Sequence, residues 1–190
     1  MTANGARLRS SIPNQITVAR LASVPLLMFL ILWDSSVTRV IGVAIFFLAA
    51  VSDAVDGYLA RSFKQTSVFG KFADPIADKL LIVGTLVCLL QLGELGKLGA
   101  VWVMIIIARE FLVTGLRILA ISEGQVIPAS ILGKLKTVSH IVLVMAILVG
   151  RSFSVGSWIE VAKTASLSLA VALTVVSGVE YFIRSRKLFA

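Results

Sequence analysis

Charge is scarce in this chain of 190 residues: Asp, Glu, Lys and Arg together make up 15%, where a soluble domain carries about 25%. Cysteine occurs once, at Cys88, which excludes a disulfide framework and a Cys-rich metal centre. That cysteine lies in an apolar run and reads as a buried filler. Proline occurs four times, and there is no Pro- or Ser-rich linker, no low-complexity tract and no clear internal repeat. What is plentiful is apolar: 58% of residues are hydrophobic and the mean hydropathy is +0.98. Such a composition excludes a disordered chain and argues against an ordinary soluble globule. A membrane-crossing helix needs about 20 mostly apolar residues, so six of them fit this length with short loops left over.

Six apolar stretches are present, at about 16–33, 37–59, 72–92, 98–120, 138–149 and 161–183. The fifth is short unless residues 134–137 extend it into the interface. Arg7 and Arg9 precede the first stretch as in a signal peptide, but the run continues to Trp33 with no small-x-small cleavage site, so it reads as an uncleaved helix. Basic residues then orient the chain. Arg7 and Arg9, then Arg61, Lys64 and Lys71, then Lys134 and Lys136 with Arg117 just ahead, then Arg184, Arg186 and Lys187 all mark one side. Arg39, Lys97, Arg151 and Lys163 mark the other, more sparsely. The bias places both termini in the cytoplasm and demands an even number of spans. The expectation is an all-α integral membrane protein with six transmembrane helices, a single domain over 1–190, and residues 1–15 as a cytoplasmic or interfacial segment. The net charge of +8 is divided among short loops, which fits lipid and phosphate contacts and excludes a nucleic-acid binder.

Four of the ten acidic residues fall between positions 53 and 78. A carboxylate inside a membrane helix costs several kcal/mol unless paired or hydrated, so acids in spans are functional candidates by default. Asp53 and Asp56 are three residues apart and share a helix face; Asp74 and Asp78, four apart, do the same. A short basic connection makes their helices antiparallel neighbours, so the four carboxylates can converge. They cannot all stay ionised together in a low-dielectric cavity without cations. An all-oxygen donor set suits hard divalent ions such as Mg2+, Mn2+ or Ca2+, and two such ions would balance four acids and could clamp a phosphoryl group. Gly57, Ala60 and Gly70 leave room for a close approach, and Arg61 can reach a phosphate.

Written out, the segment is Asp53-Ala-Val-Asp56-Gly57-Tyr-Leu-Ala60-Arg61, eight residues, then Gly70-Lys-Phe-Ala-Asp74-Pro-Ile-Ala-Asp78. It resembles the DxxDGxxAR(x)8GxxxDxxxD signature of the CDP-alcohol phosphotransferases, with every defining residue in place. The resemblance implies a six-helix membrane enzyme, usually a homodimer, with a divalent-metal site at the cytoplasmic surface of the inner membrane. Such enzymes transfer a substituted phosphate from a CDP-linked donor to an alcohol and release CMP. By the same resemblance Asp53, Asp56, Asp74 and Asp78 hold the metal and Asp78 is the general base. Asn14, Thr17, Gly57, Ala60, Arg61, Ser67 and Gly70 bind the CDP donor, with Asn14 and Thr17 closing over the cytidine side.

A second group of residues bears on the acceptor. Arg109 and Arg117 lie two turns apart on the fourth stretch, about 80° apart around the helix, and Lys134 and Lys136 return from the start of the fifth. Four cations beside such a site suggest an anionic acceptor held by Arg109, Arg117, Lys134 and Lys136. Glu110, next to Arg109, is expected to project elsewhere, since consecutive helical residues do not share a face. The stretches Ile12-Pro13-Asn14-Gln15-Ile16-Thr17, Asp74-Pro75-Ile76-Ala77-Asp78-Lys79, Ala108-Arg109-Glu110-Phe111 and Gly133-Lys134-Leu135-Lys136-Thr137 are similar to the branch of the family that joins CDP-diacylglycerol to sn-glycerol 3-phosphate. Ser139-His140 departs from the Thr-Gln pair of that branch, and His140 reads as a helix–helix hydrogen-bond partner. The rivals within the family are a phosphatidylinositol-phosphate synthase and a cardiolipin synthase. The rival from another class is a divalent-cation transporter, which would place the acids near mid-membrane, whereas Arg61 and Lys64 directly follow the first pair.

Overall fold

The computed structural model describes the backbone of residues 3–63, 68–125, 128, 130–153 and 156–186, and the side chains of these from residue 18 onward except 53–63, 68–75 and 78. It is all-helical: α1 Ala3–Trp33, α2 Ser36–Phe63, α3 Val68–Gln91, α4 Gly99–Ser122, α5 Ile131–Ser152 and α6 Trp158–Ser185. Six helices match the six apolar stretches, and most begin earlier than hydropathy suggests. At 31 residues, α1 is about 46 Å long, longer than the ~30 Å that a hydrocarbon layer requires of a spanning helix. Residues 134–137 belong to α5, which turns the short fifth stretch into a full-length helix. Among the described residues, α5 and α6 are long and apolar enough by themselves to cross a membrane, and 18–33, 36–52 and 79–91 form shorter apolar helical segments. On α4, Met104, Phe111 and Ile118, seven residues apart in sequence, are all exposed. They form one outward apolar face, which a lipid environment accommodates and water does not.

The chain divides into two compact units, Met1–Cys88 and Leu89–Ala190. In the first, Val24, Leu27 and Ile31 of α1 are buried along one stripe. Gly42 of α2 lies against Leu27 and Ile31, and Gly84 of α3 sits so close to α1 that a Cβ there would be 3.0 Å from the Met28 sulfur. Cys88 is free and buried, its Sγ 3.9 Å from the Met28 carbonyl oxygen, as a filler should be. The α1–α2 turn is closed by its own side chains. The backbone N–H of Thr38 donates to Ser35 Oγ (3.2 Å), that of Ser35 donates to Thr38 Oγ1 (2.9 Å), and Arg39 grips Asp34 through two hydrogen bonds of 2.8 and 3.1 Å.

In the second unit α6 packs on both α4 and α5. The face of α6 that is buried carries Ser166, Ala170, Thr174 and Ser177, small enough for close helix approach. His140 of α5 meets Thr174 there at 2.9 Å. α4 ends on Gly124, whose positive φ of 68° lets the N–H groups of Gly124 and Gln125 cap the carbonyls of Ile121 and Ala120. α5 starts on Ser130, whose Oγ accepts from the Gly133 N–H at 3.0 Å. Across the unit, Glu94 in the α3–α4 connection pairs with both Arg151 and Lys163, and Lys163 also bonds Glu160.

Candidate functional site

Asp53, Asp56, Gly57, Ala60 and Arg61 lie on the last three turns of α2, and Gly70, Asp74 and Asp78 on the first three of α3. The spacings that put each aspartate pair on one helical face are therefore realised in helix on both sides of the connection. Arg61 and Lys71, expected in that connection, are helical instead; no Gly or Pro lies among residues 58–63 to stop α2 earlier. The side chains of Asp53, Asp56, Gly57, Ala60, Arg61, Gly70, Asp74 and Asp78, and those of Asn14 and Thr17 on α1, lie outside the described residues, as does Ser67 altogether. Among the described residues no three His, Cys, Asp or Glu side chains stand close enough to share a metal ion. The chemistry of the donor set, four carboxylates at i, i+3 and i, i+4 spacing on α2 and α3, fits a hard divalent cation.

The four cations expected at the acceptor, Arg109, Arg117, Lys134 and Lys136, all lie among the described residues. Arg109 projects from α4 into the space beside α5 and α6. Its guanidinium lies over the Tyr181 ring at 5.6 Å, an attractive cation–π placement. Two glycines make that seat. A Cβ at Gly178 would be 3.2 Å from Arg109 Cγ, and one at Gly133 would be 3.9 Å from Arg109 Nη2. Lys136, buried on α5, donates to Glu110 Oε1. Arg109 Nη1 stands 3.8 Å from that same oxygen. Glu110 therefore faces Arg109's head after all. Their Cβ atoms diverge, but both side chains are long enough to bend toward Lys136, and a carboxylate leaving water is drawn to the nearest cations.

Arg109 Nε and Nη2 are buried and hydrogen-bond to no described residue. These two atoms form one edge of the guanidinium, the edge that grips a carboxylate or phosphate through two parallel bonds. An unmet charged donor is costly to bury, so the arrangement favours an oxyanion arriving at that edge. Glu180 Oε2, on the turn of α6 beside Tyr181, is also buried with no hydrogen-bond partner among the described residues, while its other oxygen pairs with Arg184. Arg117 and Lys134 are exposed and do not share the burial of Arg109 and Lys136.

His140 serves as the helix–helix partner its sequence context suggests. Thr174 Oγ1 donates to the Ala170 carbonyl at 2.7 Å, so toward the ring it accepts, and His140 Nε2 carries the hydrogen. Gly178, Glu180 and Tyr181 were not legible as site residues. Their signal is no more than an acid and a phenol near the C-terminal end of α6, which has no spacing rule attached to it.

Comparison with known proteins follows the same lines. The family model of CDP-alcohol phosphatidyltransferase matches residues 10–176. A Bacillus subtilis (strain 168) protein named CDP-diacylglycerol–glycerol-3-phosphate 3-phosphatidyltransferase is 41% identical, covering 92% of this chain and 95% of the relative. A protein of the same name from Rickettsia bellii (strain RML369-C) is 32% identical over 96% of this chain and 99% of its own. A Mycobacterium tuberculosis (strain H37Rv) protein named probable phosphatidylglycerophosphate synthase is 38% identical over 93% of this chain and 82% of its own.

Proposed function

The chain belongs to the CDP-alcohol phosphatidyltransferase family, and from that premise we propose that it transfers the phosphatidyl group of CDP-diacylglycerol to sn-glycerol 3-phosphate, giving phosphatidylglycerol phosphate and CMP. The observation that carries the choice of acceptor is the open Nε/Nη2 edge of Arg109 beside buried Lys136. A phosphorylated alcohol supplies the oxyanion that this edge lacks, whereas unphosphorylated inositol would bring none to it. The names of the relatives agree with that acceptor.

The donor's acyl chains stay in the bilayer while its CDP head meets α2 and α3. Asp53, Asp56, Asp74 and Asp78 would hold one or two divalent ions, Mg2+ or Mn2+, which when bound supply charge neutralisation for the pyrophosphate. Arg61, with Gly57, Ala60, Ser67 and Gly70, binds the donor's phosphates, and Asn14 and Thr17 hold the cytidine side. Arg109 and Lys136 hold the acceptor's phosphate and orient its terminal hydroxyl, with Arg117 and Lys134 adding positive potential at the entrance. Asp78 takes the proton of that hydroxyl. The oxygen forms a bond to the phosphorus bearing diacylglycerol, the bond from that phosphorus to the bridging pyrophosphate oxygen breaks, and its electron pair leaves with CMP.

The topology belongs to the same proposal. All six helices cross the inner membrane as a single domain, both termini face the cytoplasm, and the chain works there as a homodimer. Supporting this orientation, three of the four cations assigned to the outer side, Arg39, Arg151 and Lys163, are matched there by Asp34, Glu94 and Glu160. They therefore add little net positive charge on that side. The test is purified protein with CDP-diacylglycerol and, in turn, glycerol 3-phosphate, inositol phosphate, serine and phosphatidylglycerol, with and without Mg2+. CMP release is expected with glycerol 3-phosphate and metal; release with another acceptor alone overturns the reading.

A further inference from the structure

The phosphate of the proposed acceptor takes no part in bond breaking and remains, unchanged, on the product. Whatever grips it in the acceptor grips it equally in the product. Uniform binding of that kind lowers KM without raising kcat, and it retards release. A site built of Arg109 and Lys136 alone would hold a phosphomonoester with two positive charges largely shielded from water. The structure places a carboxylate between them. Glu110 Oε1 accepts from Lys136 Nζ and stands 3.8 Å from Arg109 Nη1, with the Glu110 side chain 14% exposed. At 3.8 Å the contact with Arg109 is electrostatic and not a hydrogen bond. It lies at Nη1, so it leaves the Nε/Nη2 edge unfilled.

Resting on the reading above, we propose that Glu110 is a counter-charge that sets the strength of the phosphate grip: it offsets part of the positive charge of Lys136 and Arg109 so that the phosphomonoester binds through Arg109's open edge and still leaves on the product. Glu110 is a positioning residue here, since it acts through Lys136 and Arg109 and not on the reacting atoms. Two roles are separable by substitution. If Glu110 only anchors Lys136, an amide oxygen will do as well as a carboxylate oxygen. If its charge matters, the amide will not.

The experiment compares wild type with Glu110→Gln in detergent-solubilised full-length protein, following CMP release. For Glu110→Gln we expect the KM for glycerol 3-phosphate to fall about tenfold, a factor equivalent to about 1.4 kcal/mol. The kcat should fall with it, and inorganic phosphate should become a correspondingly stronger inhibitor, while the KM for CDP-diacylglycerol stays unchanged. A Gln variant indistinguishable from wild type, or one with a raised acceptor KM, overturns the proposal. Should Glu110→Gln fail to assemble, Glu110→Met gives a second neutral side chain with the same expectation. If neither assembles, Glu110 is a folding residue and the proposal falls. Wild-type protein that does not use glycerol 3-phosphate overturns the acceptor assignment; wild type that uses it, with an unaltered Gln variant, overturns the counter-charge alone.

Discussion

Gly178 stands so near Arg109 that a Cβ on it would come within 3.2 Å of Arg109 Cγ. The glycine thus leaves room for the arginine's stem: a Cβ alone would ask it to give by a few tenths of an ångström, and a long branched side chain would displace it further and with it the guanidinium over Tyr181. Gly178→Leu is expected to raise the KM for glycerol 3-phosphate at least about tenfold, the scale on which one charged hydrogen-bonding group contributes. Its effect on the KM for CDP-diacylglycerol should be small. Arg109→Ala should show the same split, more strongly. Steady-state kinetics against each substrate in turn checks both, and equal changes in the two KM values would remove Arg109 from the acceptor site.

Asp78→Asn should abolish turnover in a protein that still assembles. The amide keeps the volume and loses both the base and the negative charge. Loss of a general base alone lowers the rate about 10²–10⁴-fold. CMP release, with the elution volume on size exclusion as the control for assembly, is the measurement. Full activity would dismiss Asp78 as the base. Chelation of divalent ions should silence wild type and be reversed by added Mg2+.

The His140–Thr174 bond is structural, so its removal should affect stability and leave the acceptor KM alone. A double-mutant cycle with His140→Ala and Thr174→Val is expected to give a coupling of about 0.6 kcal/mol, the average for hydrogen bonds between membrane helices. Unfolding of the solubilised protein reads it. A coupling near zero would mean that the bond does not hold α5 to α6.

Gly150 cradles Lys163: a Cβ there would meet Lys163 Cε at 2.7 Å and Ile159 Cγ1 at 2.9 Å. Gly150→Val should push Lys163 away from Glu94 and lower the unfolding temperature. Part of that loss should vanish in a Lys163→Ala background, where both the stem and the ion pair are already gone. Strict additivity of the two substitutions would show that Gly150 matters for some other reason.

Much of this protein was written in one dimension. Its membrane character and its six helices follow from apolar runs, since a lipid-buried backbone must satisfy its own hydrogen bonds and does so as helix. The pairing of Asp53 with Asp56 and of Asp74 with Asp78 follows from helical periodicity, which is local and needs no partner. Helix starts were less legible: α5 reaches back through Lys136 because Ser130 caps it, and hydropathy does not register a cap. What the tertiary structure alone decided is the company Arg109 keeps. Tyr181 and Gly178 lie about seventy residues further along the chain, and nothing in spacing announces that α6 passes beside α4. Periodicity likewise sent Glu110 away from Arg109, whereas burial next to Lys136 brought it back. Neighbours along a helix are set by its turn. Which charges share a buried space is set by how helices pack, because a carboxylate removed from water must find its cations wherever the fold has put them.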